Sequence, residues 1–160
     1  MYEPAHVLFA VIETAFWSMQ KVQSWADNLI MELATPATWL TKLSLSSSQA
    51  DAAAAVLEAL NARGRVLPEA IDELLVGLLS LRHRASDLAH DEFDAEVADV
   101  LDAYDSRLSI EAWVELQGNA SEQDKLESIL QRFEARASAA VGELEDTARL
   151  KLHPFFHEVG

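Results

Sequence analysis

The stretch PAHVLFAVIETAFWSMQKVQSWADNLIMEL, residues 4–33, decides the fold. Its positions Leu8, Ile12, Ala15, Met19, Val22, Ala26, Leu29 and Leu33 are spaced alternately by four and three, which aligns them along one side of a helix. Two readings satisfy this spacing: one long helix, or two helices that meet near Ser18 with Ser18 capping the second. Phe9, Phe16, Trp17 and Trp25 widen the apolar surface beyond a narrow seam, so the element belongs to the core.

Outward from this stretch, glycine and proline fall where helices would end, at Pro4, Pro36, Gly64, Pro68, Gly118 and Pro154, and the segments between are rich in Ala, Leu, Glu, Gln and Arg. No alternating strand pattern competes. The spacing predicts a short helix after Pro36 with Trp39, Leu40 and Leu43, and a helix over about residues 48–62 from a serine-rich cap to Gly64. Leu67-Pro68-Glu69 should open a helix carrying Ile71, Leu74, Leu75, Leu78, Leu79 and Leu81. An acidic helix follows, and Asn119 to Glu122 introduce a long last helix to about Leu152. The small run ARASAAVG within it allows close approach of a neighbour. The expectation is an all-α fold, a single-domain bundle of five to seven helices over residues 1–160, with Phe155 or Phe156 of the tail packed back on it or on a second copy.

The chain has 160 residues, half of them hydrophobic, enough for a core without metal or disulfide staples. It has no cysteine, which removes thiol catalysis and zinc-thiolate sites and fits a reducing compartment, so a cytoplasmic location is expected. The N-terminus lacks a basic leader, and Glu13 interrupts its apolar run, which argues against a signal peptide or a membrane span. With 12 basic against 27 acidic residues the formal net charge is −15, which disfavours nucleic acid and anionic membrane as partners.

The charge concentrates in HDEFDAEVADVLDAYD, residues 90–105, with seven carboxylates and no Lys or Arg. On a helical wheel Phe93, Val97, Val100, Leu101, Tyr104 and Leu108 form the inner face. Asp91, Glu92, Asp94, Glu96, Asp99, Asp102 and Asp105 occupy the outer arc. A solvated face is the ordinary outcome for such positions. Wet faces usually interleave both signs, however, because like charges on adjacent turns cost a few tenths of a kcal/mol per pair. A one-sign face gains most by steering a basic protein partner.

Two constellations carry alternative chemistry. In HRASDLAH, His83, Asp87 and His90 fall at i, i+4 and i+7, one side of a helix, and all three residue types ligate divalent metals. Neither HExxH nor paired ExxH accompanies them. In the same segment Arg84 and His90 resemble the Arg…His motif of the helical HEPN ribonucleases, although Ala85 stands where a polar residue is usual. That resemblance implies a phosphate-binding Arg and a proton-transferring His without metal. Signatures of nucleotide binding or serine hydrolysis are missing, so the expectation is a non-enzymatic protein with no cofactor.

The segment WADNLIMELATPATWLTKLSLS, residues 25–46, resembles small all-helical bacterial proteins, some of them immunity-protein-like. The likeness rests on Trp25-Ala26-Asp27, Ile30, Pro36, Trp39-Leu40 and Leu43-Ser44-Leu45-Ser46. Physically the same segment is a helix, a proline turn and a short helix sealing a core corner. The resemblance implies an acidic inhibitor that masks the positive groove of a toxin or nuclease. The competing expectation is a helical homodimer or adaptor that makes its contacts through an exposed apolar patch.

Overall fold

Ala15 breaks the opening stretch in two. In the computed structural model, which describes residues 2–104 and 110–158 and the side chains of all these except 110, 111 and 120, α1 (Pro4–Glu13) ends just before it and α2 (Met19–Glu32) begins after Ser18. Ala15 has φ 52°, and Trp17 N–H donates to the Val11 carbonyl at 3.2 Å, the long closing bond of a helix C-terminus. Ser18 Oγ then accepts from Lys21 N–H at 3.1 Å, so the two-helix reading is the one adopted. Most of the expected seam survives the break: Leu8, Ile12, Val22, Ala26, Leu29 and Leu33 are buried, while Ala15 and Met19, beside the break, are only partly so. A left-handed residue with a Cβ is strained. Ala15→Gly is therefore expected to raise stability by about 0.5–1 kcal/mol, measured as an upward shift of the thermal midpoint.

Further along are α3 (Thr38–Ser44), α4 (Gln49–Ala62), α5 (Ile71–Arg84), α6 (His90–Ala103), α7 (Ile110–Gly118), α8 (Gln123–Leu144) and α9 (Thr147–Leu150). Among the described residues these nine helices exceed the expected five to seven, and there is no strand beyond one isolated bridge, Pro36 to His157. None of the helices is long and apolar enough to cross a membrane among the described residues. Three differences from the expected boundaries have local causes. Pro68 to Ala70 form a turn, so α5 starts at Ile71. The last helix stops at Leu144, because Asp146 accepts from Arg149 N–H and caps the separate α9. Finally, α7 occupies a segment that carries no clear cap in the sequence.

Contacts divide the chain into two compact units, residues 1–67 with 140–160, and residues 68–139. In the first unit α1 packs on α4 and α2 on α3. Ser48 caps α4 by accepting from Asp51 N–H, and Gly64 closes its end at φ 64°. The tail completes this unit: Phe155 and Phe156 are buried, and Trp39 Nε1–H donates to the Phe155 carbonyl at 3.2 Å. Ala37 N–H donates to the Phe156 carbonyl at 2.9 Å. The aromatic segment that carried the family resemblance is thus the corner that receives the tail.

Beside α1 lies a titratable cluster. The Arg65 guanidinium bonded to Glu3 holds that carboxyl below its usual range, while burial pushes the imidazoles of His6 and His153 below theirs against the pull of Glu3. His6 Nδ1 accepts from Glu3 N–H and His153 Nδ1 from Phe155 N–H, both at 3.3 Å, so each ring is built to be neutral. A lowered imidazole pKa contributes stability that is complete above the ordinary value of 6.5 and is lost as pH falls from there through the folded value. The Glu3 contribution is present above 4.5 and is lost further into acid. The thermal midpoint should therefore fall between about pH 7.5 and about pH 5.5. In a His6→Gln/His153→Gln double variant the midpoint should change much less over that range.

In the second unit α5 packs on α6 and α6 on α7. Gly77 of α5 meets α8 so closely that a Cβ there would sit 2.5 Å from the Phe133 carbonyl oxygen and 3.1 Å from Ala137 Cβ. The close approach anticipated from ARASAAVG is made at Ala137, with glycine rather than alanine on the other side.

Candidate interaction face and pocket

The α6 helix is amphipathic as its spacing requires: Phe93, Val97, Val100 and Leu101 are buried, and Tyr104 is partly so. Leu108 and Asp105 lie outside the described residues. No side chain caps its start at Ala89, but Asp91 and Glu92 in the first turn complement the exposed N–H groups and the helix dipole. Asp91, Glu92, Glu96, Asp99 and Asp102 are exposed. Asp94 departs from the expected outward arc. It is half-buried, takes an N–H from Gln117 of α7, and lies 3.2 Å from His90 Nε2.

The described cations of this unit are engaged elsewhere, and Arg107 lies outside the described residues. Arg82 is 2.8 Å from Asp87, Lys125 is 3.0 Å from Glu122, and Arg136 is 2.8 Å from Glu73. Arg84 bonds both Glu127 and Glu134, which raises its own pKa and holds the Glu127 carboxyl below the usual range. Arg132 lies over the ring of Phe133. The five outer carboxylates of α6 have no ion-pair partner among the described residues.

The geometry behind the metal alternative does not hold. α5 ends at Arg84, Ser86 turns the chain at φ 60°, and α6 starts at His90, so His83, Asp87 and His90 are on two helices and a loop rather than one helix side. Asp87 is turned to Arg82. Among the described residues no group of three or more His, Cys, Asp or Glu is arranged to hold a metal. The histidines still meet: the His83 and His90 ring centroids are 5.6 Å apart. Arg84, the phosphate-binding residue of the ribonuclease alternative, has its guanidinium divided between two carboxylates. One of them, Glu134, is only 8 % exposed and also accepts from Ser80.

His83 and His90 border a cavity of about 330 Å³, closed by Phe93 and Asp94 of α6, Gln117 of α7, and Gln123 and Glu127 of α8. The contribution of α7 and α8 was missed in the sequence because it depends on the chain returning beside α6. Glu134, by contrast, was signalled: it falls four residues after Leu130 and three before Ala137, on the inner stripe of α8. Neither a family model, nor a curated protein, nor a solved structure matches this chain.

Proposed function

We propose that the chain is a non-enzymatic acidic interaction protein, acting as a single domain in the cytoplasm, whose α6 face docks on a basic protein. The observation that carries this reading is the set of exposed carboxylates Asp91, Glu92, Glu96, Asp99 and Asp102. They have no ion-pair partner among the described residues, and the described cations of the same unit are spent on other acids or on an aromatic ring. No ion pair among the described residues offsets their mutual repulsion, so a positive surface would relieve it on binding. The immunity-protein resemblance gives the reading its specific form: an inhibitor that covers the positive groove of a toxin or nuclease.

The test is capture from source cells at low salt with the parent chain and with a variant carrying Asp91→Asn, Glu92→Gln, Glu96→Gln, Asp99→Asn and Asp102→Asn. A basic protein retained by the parent and released by the variant is the expected result. Retention of the same proteins by both would overturn the reading. A second reading, self-association or adaptor binding, has its own support in Met31, Leu45 and Leu152 of the first unit, all exposed. The Lys151 to Glu32 pair at 3.2 Å sets Met31 and Leu152 on neighbouring segments. A sedimentation mass of twice the chain would favour it.

A further inference from the structure

The cavity beside α6 has an unusual balance of hydrogen-bonding groups. Gln117 spends its amide N–H on Asp94, and Gln123 spends its own on the carbonyls of Leu116 and Gln117 at 3.2 and 2.8 Å. Gln123 therefore has both amide N–H groups spent and is left with its oxygen as an acceptor, while Gln117 keeps one N–H beside its oxygen. His83 Nδ1 is 2.8 Å from the Leu88 carbonyl, which can only accept, so Nδ1 carries the proton and the neutral ring keeps its lone pair on Nε2. Asp94 and Glu127 add carboxylate acceptors, and Arg84 offsets only part of their charge because it is shared with Glu134. One wall is flat: the His83 ring stacks on Phe93 with centroids 4.9 Å apart and planes 8° from parallel.

A site rich in acceptors, negative and walled by a planar ring is matched by a planar cation with many donors. Guanidinium offers five N–H donors in a plane and stacks on flat rings, whereas an ammonium is a compact point charge with three. The wall Asp94 is one helical turn from Asp91 of the outer face, so a side chain from a protein seated on that face reaches the cavity mouth. We propose that this cavity is an arginine pocket, the receptor for one arginine side chain of the basic partner. This inference rests on the interaction reading above. It adds a specificity element to a face that otherwise acts through its field alone.

The experiment titrates the ¹⁵N-labelled protein with acetyl-arginine-amide, with acetyl-lysine-amide and acetyl-norleucine-amide as comparisons, and follows the side-chain amides of Gln117 and Gln123 and the rings of His83 and His90. Saturable shifts are expected with the arginine compound, at least about tenfold weaker binding with lysine, and none with norleucine. Asp94→Asn should weaken arginine binding at least about tenfold, and His90→Arg should abolish it by placing a cation at the mouth. The His90 side chain is 67 % exposed, so that variant tests the pocket without loading the core. Shifts that do not saturate, that are equal for lysine and arginine, or that survive both variants overturn the proposal. The five-amide α6 variant should still bind the arginine compound. If the compound fails to bind while the five amides still cost partner association, the pocket is wrong and the interaction reading stands. If it binds and the five amides cost nothing, the reverse holds.

Discussion

Phe156→Ala is expected to destabilise the protein by about 3–5 kcal/mol, the range for removing a buried phenylalanine that its surroundings cannot replace. Phe156 is 0 % exposed. Its ring meets Trp39 at 5.7 Å, Trp25 at 5.9 Å and Phe155 at 5.6 Å, and such aromatic contacts add to the burial itself. Collapse of the site is hindered by the backbone on either side. The Phe156 carbonyl is held by Ala37 N–H, Glu158 N–H donates to the Thr35 carbonyl, and the Glu158 carboxylate accepts from Thr38 at the start of α3. The control is Leu152→Ala, four residues earlier and 85 % exposed, which should change stability by less than about 0.5 kcal/mol. Urea denaturation of the two variants measures the difference. A loss under about 1 kcal/mol for Phe156→Ala would mean the tail is laid on the surface rather than built into the core.

Gly77→Ala should be the second large effect, with a sign opposite to helix propensity. Alanine in place of glycine inside a helix ordinarily gains about 1 kcal/mol. Here the new Cβ would lie 2.5 Å from the Phe133 carbonyl oxygen and 2.8 Å from its carbon, both backbone atoms of α8, so the two helices must separate. Overpacking of this kind costs about 1–3 kcal/mol and opens the contacts around it. A net loss of about 1–3 kcal/mol is expected, and Gly77→Val should lose more. Gly142→Ala provides the opposite case. It lies near the end of α8 with nothing within 4 Å of the new atom, and should gain a few tenths of a kcal/mol. Chemical denaturation of both variants decides the matter, and a stabilised Gly77→Ala would contradict the close contact of α5 with α8.

What could be read from the sequence was mostly local chemistry. Ser18 and Ser48 act as caps because a hydroxyl beside a free backbone N–H needs no distant partner, and Gly64 ends α4 for an equally local reason. The inner face of α6 follows from spacing alone. The stop at Leu144 carried a local signal as well, since Asp146 precedes a helical turn, but the apolar period running past it was the stronger pattern. Ala15 carried none: alanine favours helix, and only the tertiary turn forces it to φ 52°. The departure of Asp94 from the outer arc, and the cavity it borders, depend on Gln117 and Glu127 arriving from α7 and α8. Helical periodicity places a side chain on its own helix and is silent about which helix comes to meet it.

The interaction claim turns on where the charges are, and not on how many there are. The most direct measurement is the association rate with the captured basic partner at low ionic strength, for the five-amide α6 variant and for a charge-matched variant. The latter replaces Glu32, Asp51, Glu58, Glu143 and Glu145 by their amides, all exposed and all in the other unit. Exposed charges act through a field screened over about 8 Å at physiological ionic strength, so those on the contacting face dominate steering. The α6 variant is expected to associate at least about tenfold more slowly than the parent, with most of the difference gone in high salt. The charge-matched variant should stay within about twofold of the parent. Equal slowing in both would reduce α6 to one part of a uniformly acidic surface, and no slowing in the α6 variant would make its carboxylates a solvated helix face and nothing more.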